Sequence, residues 1–386
     1  MSQNKVGLAI VTYTINYGTF LQAFATQTAV RGLGYETEIL NINSVIDDVS
    51  KARKKYFLRQ LLNYSELKSY RHTIFAIIAK RLFKNYNRYM GNREKAFVKF
   101  KDEYFDIGDK CDSWDGLSQH CREFSTILVG SDQLWRPANI AGNFYTLNFV
   151  PKEINKVSYA TSFGLKEIRA DQKEQAAAFL TRIQHLSCRE ESGTKIVEEL
   201  TGRKAELVCD PTLLLTQSDW NEYIPETPIV TGDYILVYLL SSNKNHRDYI
   251  KRLAKETSCK IVGVLHGAGY IKGDENFVDE IPENVGPFEF LNLIKNAKYV
   301  CTDSFHGCVF SSIFEKEFYA FKRFSDKDRM STNTRVVGLL NRLGLSGRMI
   351  ENYETLLLDK IDYIDVNDKI KDFRNFSLDF LNNSLK

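Results

Sequence analysis

Apolar runs of strand length recur along this chain, each ending in a short turn of small polar residues that opens into a helix. Val6 to Val11 is the first; the turn Thr12 to Thr19 follows, then a helical pattern through Phe20, Leu21, Ala23, Phe24 and Val30, closed by Gly32 and Gly34. A second strand is expected at Glu38 to Ile42, which completes a βαβ opening. The same alternation returns at Thr126–Val129, Lys156–Ala160, His185–Cys188 and Glu206–Cys209. A helix over about 169–183 and another after Arg189 separate these strands. Pro225 to Gly232 reads as an interdomain boundary. Beyond it lie strands at Ile235–Leu240, Lys260–Leu265, Tyr299–Thr302 and Phe318–Phe321, with helices near 245–257, 287–296 and 307–315. Such alternation predicts parallel sheets, and 386 residues at about 150 per domain allow two of them. The expected architecture is α/β, with two Rossmann-like domains facing a cleft. The N-terminal domain spans 1–224 and carries a basic helical insert over about 51–105. The C-terminal domain spans 225–345, and a helical segment over 346–386 packs back on the first domain.

The insert stands out by charge. Residues 51–101 hold fifteen Lys and Arg against two acids, Glu66 and Glu94, a local +13 in a chain whose net charge is +3. Apolar positions Phe57, Leu58, Leu61, Leu62, Ile74, Ile77, Ile78, Leu82 and Phe83 suggest one helical face. A patch for an anionic membrane surface through 51–101 stands beside the plainer reading of a solvated insert balanced by the acidic remainder. No recognition module accompanies the patch, so nucleic acid is not an expected partner. No apolar run approaches the roughly 18 residues of a bilayer span, and no secretory signal is read at the N-terminus. Seven cysteines without CxxC or CxxH spacing read as thiols of a reducing compartment, and no metal site is expected. GxGxxG, GxxxxGK[ST], HExxH and GxSxG are all absent, which argues against a standard dinucleotide enzyme, a P-loop NTPase, a zincin and an α/β hydrolase.

In open α/β sheets the ligand crevice lies beyond the carboxyl ends of the strands. The turns found there are rich in hydroxyl, amide and charged groups, and several begin helices whose free N–H groups suit phosphate or carboxylate. His306 follows a strand and sits in the first turn of a helix, near Asp303; it reads as an oriented acid or base, an anion clamp, or a capping residue. Arg189 can grip an anion bidentately or pair with Glu190 or Glu191. Asp132 can activate a hydroxyl or cap a helix. Lys322, Arg323 and Arg335 form a late basic set that could meet a phosphate or simply be solvated.

Taken in order, Asn16-Tyr17-Gly18-Thr19-Phe20-Leu21-Gln22-Ala23, Gly130-Ser131-Asp132-Gln133-Leu134-Trp135, Ser158-Tyr159-Ala160-Thr161-Ser162-Phe163-Gly164, Ser187-Cys188-Arg189-Glu190, Asp210-Pro211-Thr212-Leu213-Leu214 and Thr302-Asp303-Ser304-Phe305-His306-Gly307 resemble the polysaccharide pyruvyl transferase family over about residues 6–345, except the insert. The resemblance implies a GT-B-like fold and transfer of pyruvate from phosphoenolpyruvate (PEP) to two hydroxyls of a sugar, giving a cyclic ketal. It implies Arg189 and His306 as donor-binding residues; from the chemistry, His306, Asp132 and Asp303 are the expected catalytic residues. Arg189, Ser304, His306, Arg323 and Arg335 would bind PEP; Asn16, Tyr17, Gln22 and Ser131 would face the acceptor sugar. No cofactor beyond the co-substrate is expected. The acceptor would be a sugar or lipid-linked glycan precursor, met in the cytoplasm or at the inner membrane face. The rival expectations are a GT-B-like glycosyltransferase using a nucleotide-sugar, and a non-catalytic glycan- or membrane-binding protein on the same scaffold.

Overall fold

Val6, Leu8 and Ala9 are fully buried in the first strand, as an apolar run covered on both faces must be. A computed structural model describes residues 4–60, 84–265, 271–274, 277–324 and 333–386. The first unit runs β1 (Lys5–Ala9), α1 (Tyr17–Gly32), β2 (Glu36–Ile39), α2 (Ile46–Gln60), α3 (Lys84–Tyr104), α4 (Trp114–His120), β3 (Thr126–Val129), α5 (Pro137–Gly142), β4 (Asn155–Ser158), α6 (Lys173–Thr181), β5 (Ser187–Cys188), α7 (Glu191–Thr201), β6 (Glu206–Leu207) and α8 (Gln217–Asn221). The second runs β7 (Tyr234–Tyr238), α9 (Lys244–Thr257), β8 (Lys260–Gly263), α10 (Pro287–Asn296), β9 (Tyr299–Thr302), α11 (Phe305–Ile313), β10 (Glu317–Ala320), α12 (Asn333–Arg342) and α13 (Tyr363–Leu385).

The strands of the first unit pair in the order β2-β1-β3-β4, all parallel. Bridges Val157–His185 and Thr161–Cys188 join the short β5-β6 pair to its β4 edge. The second sheet has the order β10-β9-β7-β8, again parallel. These are the two Rossmann-like domains of a GT-B-like arrangement. The carboxyl ends of β1, β3, β5 and β9 all lead into the loops that build the cleft, as the topology rule requires.

One apolar core runs through both domains. Tyr17, at the start of α1, stacks on Phe290 of α10 at 4.4 Å and donates its hydroxyl hydrogen to the Val285 carbonyl at 3.0 Å. Phe24 meets Phe288 edge-on at 5.2 Å, and Trp220 meets Phe310 at 5.2 Å. Part of the basic insert belongs to this seam. On α3, Phe97 and Phe100 are buried in the shared core, and the buried Arg93 lies 4.1 Å over the Tyr17 ring while donating to the Leu265 carbonyl at 2.8 Å. The aromatic face of α3 is thus sealed between the domains, while Lys95 and Lys99 on its other side are exposed. On α2, Leu58 of the expected face is 64% exposed. Leu61, Leu62, Ile74, Ile77, Ile78, Leu82 and Phe83, and with them most of the expected apolar face, lie outside the described residues. Helix α13 returns to the first domain: Asn155 Nδ2 donates to the Ser384 carbonyl at 2.8 Å and Ser377 Oγ accepts from the Cys209 amide at 2.9 Å. Among the described residues no helix is long and apolar enough to cross a membrane, and no group of three His, Cys, Asp or Glu side chains could hold a metal ion.

Candidate active site

Arg189 leaves the end of β5 and turns inward, with its side chain only 1% exposed. Its Nη1 donates to Asp210 Oδ2 at 2.7 Å. Asp132 Oδ1 stands 3.6 Å from Nη2, and Glu190 Oε2 stands 3.8 Å from Nε. Nη2 and Nε make no hydrogen bond although both are buried. An arginine so placed has its charge answered but two donors unspent, which is costly unless a ligand takes them.

Asp132 follows β3 with φ at +84°, a backbone setting that a non-glycine residue adopts at a cost of about 1–3 kcal/mol. The turn is held by the Ser162 amide, which donates to the Asp132 carbonyl at 2.9 Å, and by Thr19 Oγ1, which donates to Asp132 Oδ2 at 2.8 Å. Its side chain stays 23% exposed. Burial works to raise its pKa, but Arg189, His306 and the Thr19 hydroxyl outweigh burial and hold it below the ordinary carboxylate range.

His306 comes from the other domain, in the first turn of α11, where Ser304 caps the helix by accepting from the Gly307 amide at 3.4 Å. Its Nε2 faces Asp210 Oδ2 at 3.5 Å and has no hydrogen bond. Its ring lies directly against Gly18 of α1, where any Cβ would collide with Nδ1, Cγ and Cε1. The sequence placed Asp303 beside His306; the structure pairs His306 with Asp210 instead. Asp303 points beneath β7, accepting from the Leu240 amide at 2.6 Å, and burial raises its pKa against the pull of Ser241 and that amide.

Arg335, on α12, stacks 5.9 Å over the Phe305 ring, whose centroid lies 4.9 Å from the Arg189 guanidinium carbon. Its Nε is buried without a hydrogen-bond partner. Burial and the repulsion of Arg189 lower its pKa, opposed by Glu190 and Asp132. Arg189, Glu190, Asp210, Phe305 and Arg335 line one cleft of about 1040 Å³, whose lining also includes Lys166, Lys195, Lys322 and Arg342.

The structure thus brings Arg189, Asp132, Ser131, His306 and Arg335 together from both domains. Ser131 donates to Asp210 Oδ2 at 3.1 Å and is fully buried. Arg323 is exposed at the edge, its guanidinium 5.1 Å over the Phe324 ring. Two residues expected at the acceptor are out of a sugar's reach. Tyr17 and Gln22 are both 0% exposed, and Gln22 Nε2 donates to the Thr19 carbonyl at 2.9 Å. Tyr17 holds the seam between the domains, and Gln22 is tied within α1. Asn16 is the N-cap of α1, accepting from the Thr19 amide at 3.1 Å. Asp210 received no role of its own from the sequence; the signal was its place at a strand end in the Asp210-Pro211-Thr212 motif.

A family model described as polysaccharide pyruvyl transferase matches residues 16–323. No curated protein matches the chain. Among solved structures, the UDP-GlcNAc 2-epimerase from Neisseria meningitidis bound to UDP-GlcNAc is similar at 10% identity, over 95% of this chain and 97% of that one, with a TM-score of 0.49. The Methanocaldococcus jannaschii UDP-GlcNAc 2-epimerase is similar at 12% identity, over 95% and 98%, with a TM-score of 0.46. The glycosyltransferase SnogD from Streptomyces nogalater is similar at 13% identity, over 98% and 96%, with a TM-score of 0.38.

Proposed function

The chain belongs to the polysaccharide pyruvyl transferase family, and from that premise we propose that it transfers the pyruvyl group of PEP to two hydroxyls of a sugar in a surface-glycan precursor, forming a cyclic ketal. The observation that carries this reading is the set of buried, unspent donors on Arg189 and Arg335 at one cleft. PEP is a small molecule with both a carboxylate and a phosphate, and two guanidiniums gathered at one aromatic ring suit such an ion.

The steps assign each group a task. Arg189 and Arg335 hold the two anionic ends. His306 Nε2, the free nitrogen facing the cluster, gives a proton to the methylene carbon of PEP. That turns the methylene into a methyl group and leaves the adjacent carbon open to attack. A sugar hydroxyl adds there, and Asp132, already ionised and partly exposed, accepts its proton. A second hydroxyl of the same sugar then attacks that carbon and gives its proton to the His306 nitrogen emptied in the first step, while the C–O bond to phosphate breaks, so that the ring closes and inorganic phosphate leaves. Positioned acid–base groups supply about 10²–10⁴-fold each. The reaction belongs in the cytoplasm, where PEP is made, on a sugar or lipid-linked precursor.

The test is incubation with PEP and a panel of glycan precursors, following phosphate release and acceptor mass. Release of phosphate matched by a ketal-sized mass gain is expected. A thermal-shift response to nucleotide-sugars and none to PEP would replace this reading with that of a glycosyltransferase.

A further inference from the structure

Asp210 is 0% exposed and its two oxygens do different work. Oδ1 is spent locally: the Thr212 amide donates to it at 3.1 Å and Thr212 Oγ1 at 2.7 Å. That fixes the carboxylate on its own turn. Oδ2 is then aimed at three groups from separate segments: Arg189 Nη1 at 2.7 Å, Ser131 Oγ at 3.1 Å and His306 Nε2 at 3.5 Å. Arg189 and Ser131 belong to the first domain and His306 to the second, so a single oxygen faces groups of both. Burial works to raise the Asp210 pKa, but His306 and Arg189 hold it far below the carboxylate range. By engaging Nη1 alone, Asp210 leaves Nε and Nη2 of Arg189 as the donors without partners.

From this we infer that Asp210 is a positioning residue for the donor site: it sets the rotation of the Arg189 guanidinium and the reach of His306 across the domain seam, so that an anion meets a preformed pair. The inference rests on the PEP reading of the cleft and adds to it how the two domains are brought into register. It has an opposite sign to plain electrostatics. A buried carboxylate near a site for a dianion repels that ligand, so removing its charge alone would tighten binding. A positioning role requires the reverse, because Arg189 released from Asp210 is free to turn toward Asp132 or Glu190 and spend the donors that PEP needs.

The experiment is calorimetric titration of PEP into the wild-type protein and Asp210→Asn, with melting temperatures of both. Wild-type binding with PEP affinity weakened about 10- to 100-fold in Asp210→Asn, the range for a lost charge-assisted hydrogen bond, is the expected result. Equal or tighter binding by a folded variant overturns the positioning role and leaves the PEP reading intact. A wild-type protein that ignores PEP overturns that reading and this role together. Thr212→Val covers the case in which Asp210→Asn does not fold. It keeps the charge and removes one anchor of Oδ1, so PEP affinity falls about 2- to 10-fold while the melting temperature holds. Unchanged affinity there overturns the role.

Discussion

Gly18→Ala alters no functional group, yet it is expected to stop catalysis. Gly18 lies in the first turn of α1, and the new methyl would stand 2.7 Å from His306 Cε1 and nearer still to Nδ1 and Cγ. Ordinary contact between carbon atoms begins near 3.5 Å, so the imidazole must retreat by about 1 Å or more. Its far side is closed by Asp210, whose Oδ2 is 3.5 Å from Nε2, and the ring therefore leaves the pocket rather than sliding within it. A misplacement of about 1 Å at a reacting group costs about 10²-fold. The helix itself is not harmed, since alanine is favoured over glycine in a helix interior by about 1 kcal/mol. The assay is PEP-dependent phosphate release with a competent acceptor, together with the melting temperature. A loss of about 100-fold is expected, with stability lowered by no more than the roughly 1–3 kcal/mol of an overpacked site. Near-wild-type turnover by a variant that melts normally would refute the claim that His306 acts from this position.

Three further outcomes follow from the same geometry. Arg335→Ala removes a guanidinium with a buried, unpartnered Nε, and PEP affinity measured by calorimetry falls about 10- to 100-fold, with Arg335→Lys recovering part of it; unchanged affinity would take Arg335 out of the donor site. Tyr17→Phe leaves the Val285 carbonyl without its donor and destabilises the fold by about 1–3 kcal/mol in urea unfolding, with PEP affinity untouched; a selective loss of acceptor turnover instead would return Tyr17 to the sugar site. Asp210 and Asp132 both have pKa values lowered in the folded state, so they contribute stability that is present above the unfolded carboxylate value of about 3.9 and is lost as pH falls below it. Melting temperature should therefore drop below about pH 4, and less steeply in Asp210→Asn; parallel acid limbs would contradict this.

The sheets were readable because parallel strands buried on both faces leave continuous apolar runs, as at Thr126–Val129 and Tyr299–Thr302. The strands β5 and β6 were readable in place, though each is regular over only two residues. What the sequence hid was tertiary. Tyr17 at the head of a cleft helix looks like a sugar platform until Phe290 is known to cover it. The aromatic face of α3 sits in a stretch dominated by lysine and arginine, and Arg93 within it is buried over the Tyr17 ring. Asp303 is three residues from His306, and sequence proximity suggested a pair. The helix turn instead directs His306 toward Asp210, 96 positions earlier in the chain, a partner that only the packing of two domains supplies.

The most direct measurement is a crystal structure of the wild-type protein grown with PEP. The ligand is expected between Arg189 and Arg335, with its oxygens about 2.7–2.9 Å from Arg189 Nη2 and Arg335 Nε and its methylene carbon facing His306 Nε2. PEP bound elsewhere, with those nitrogens still unpartnered, would contradict the assignment of this cleft.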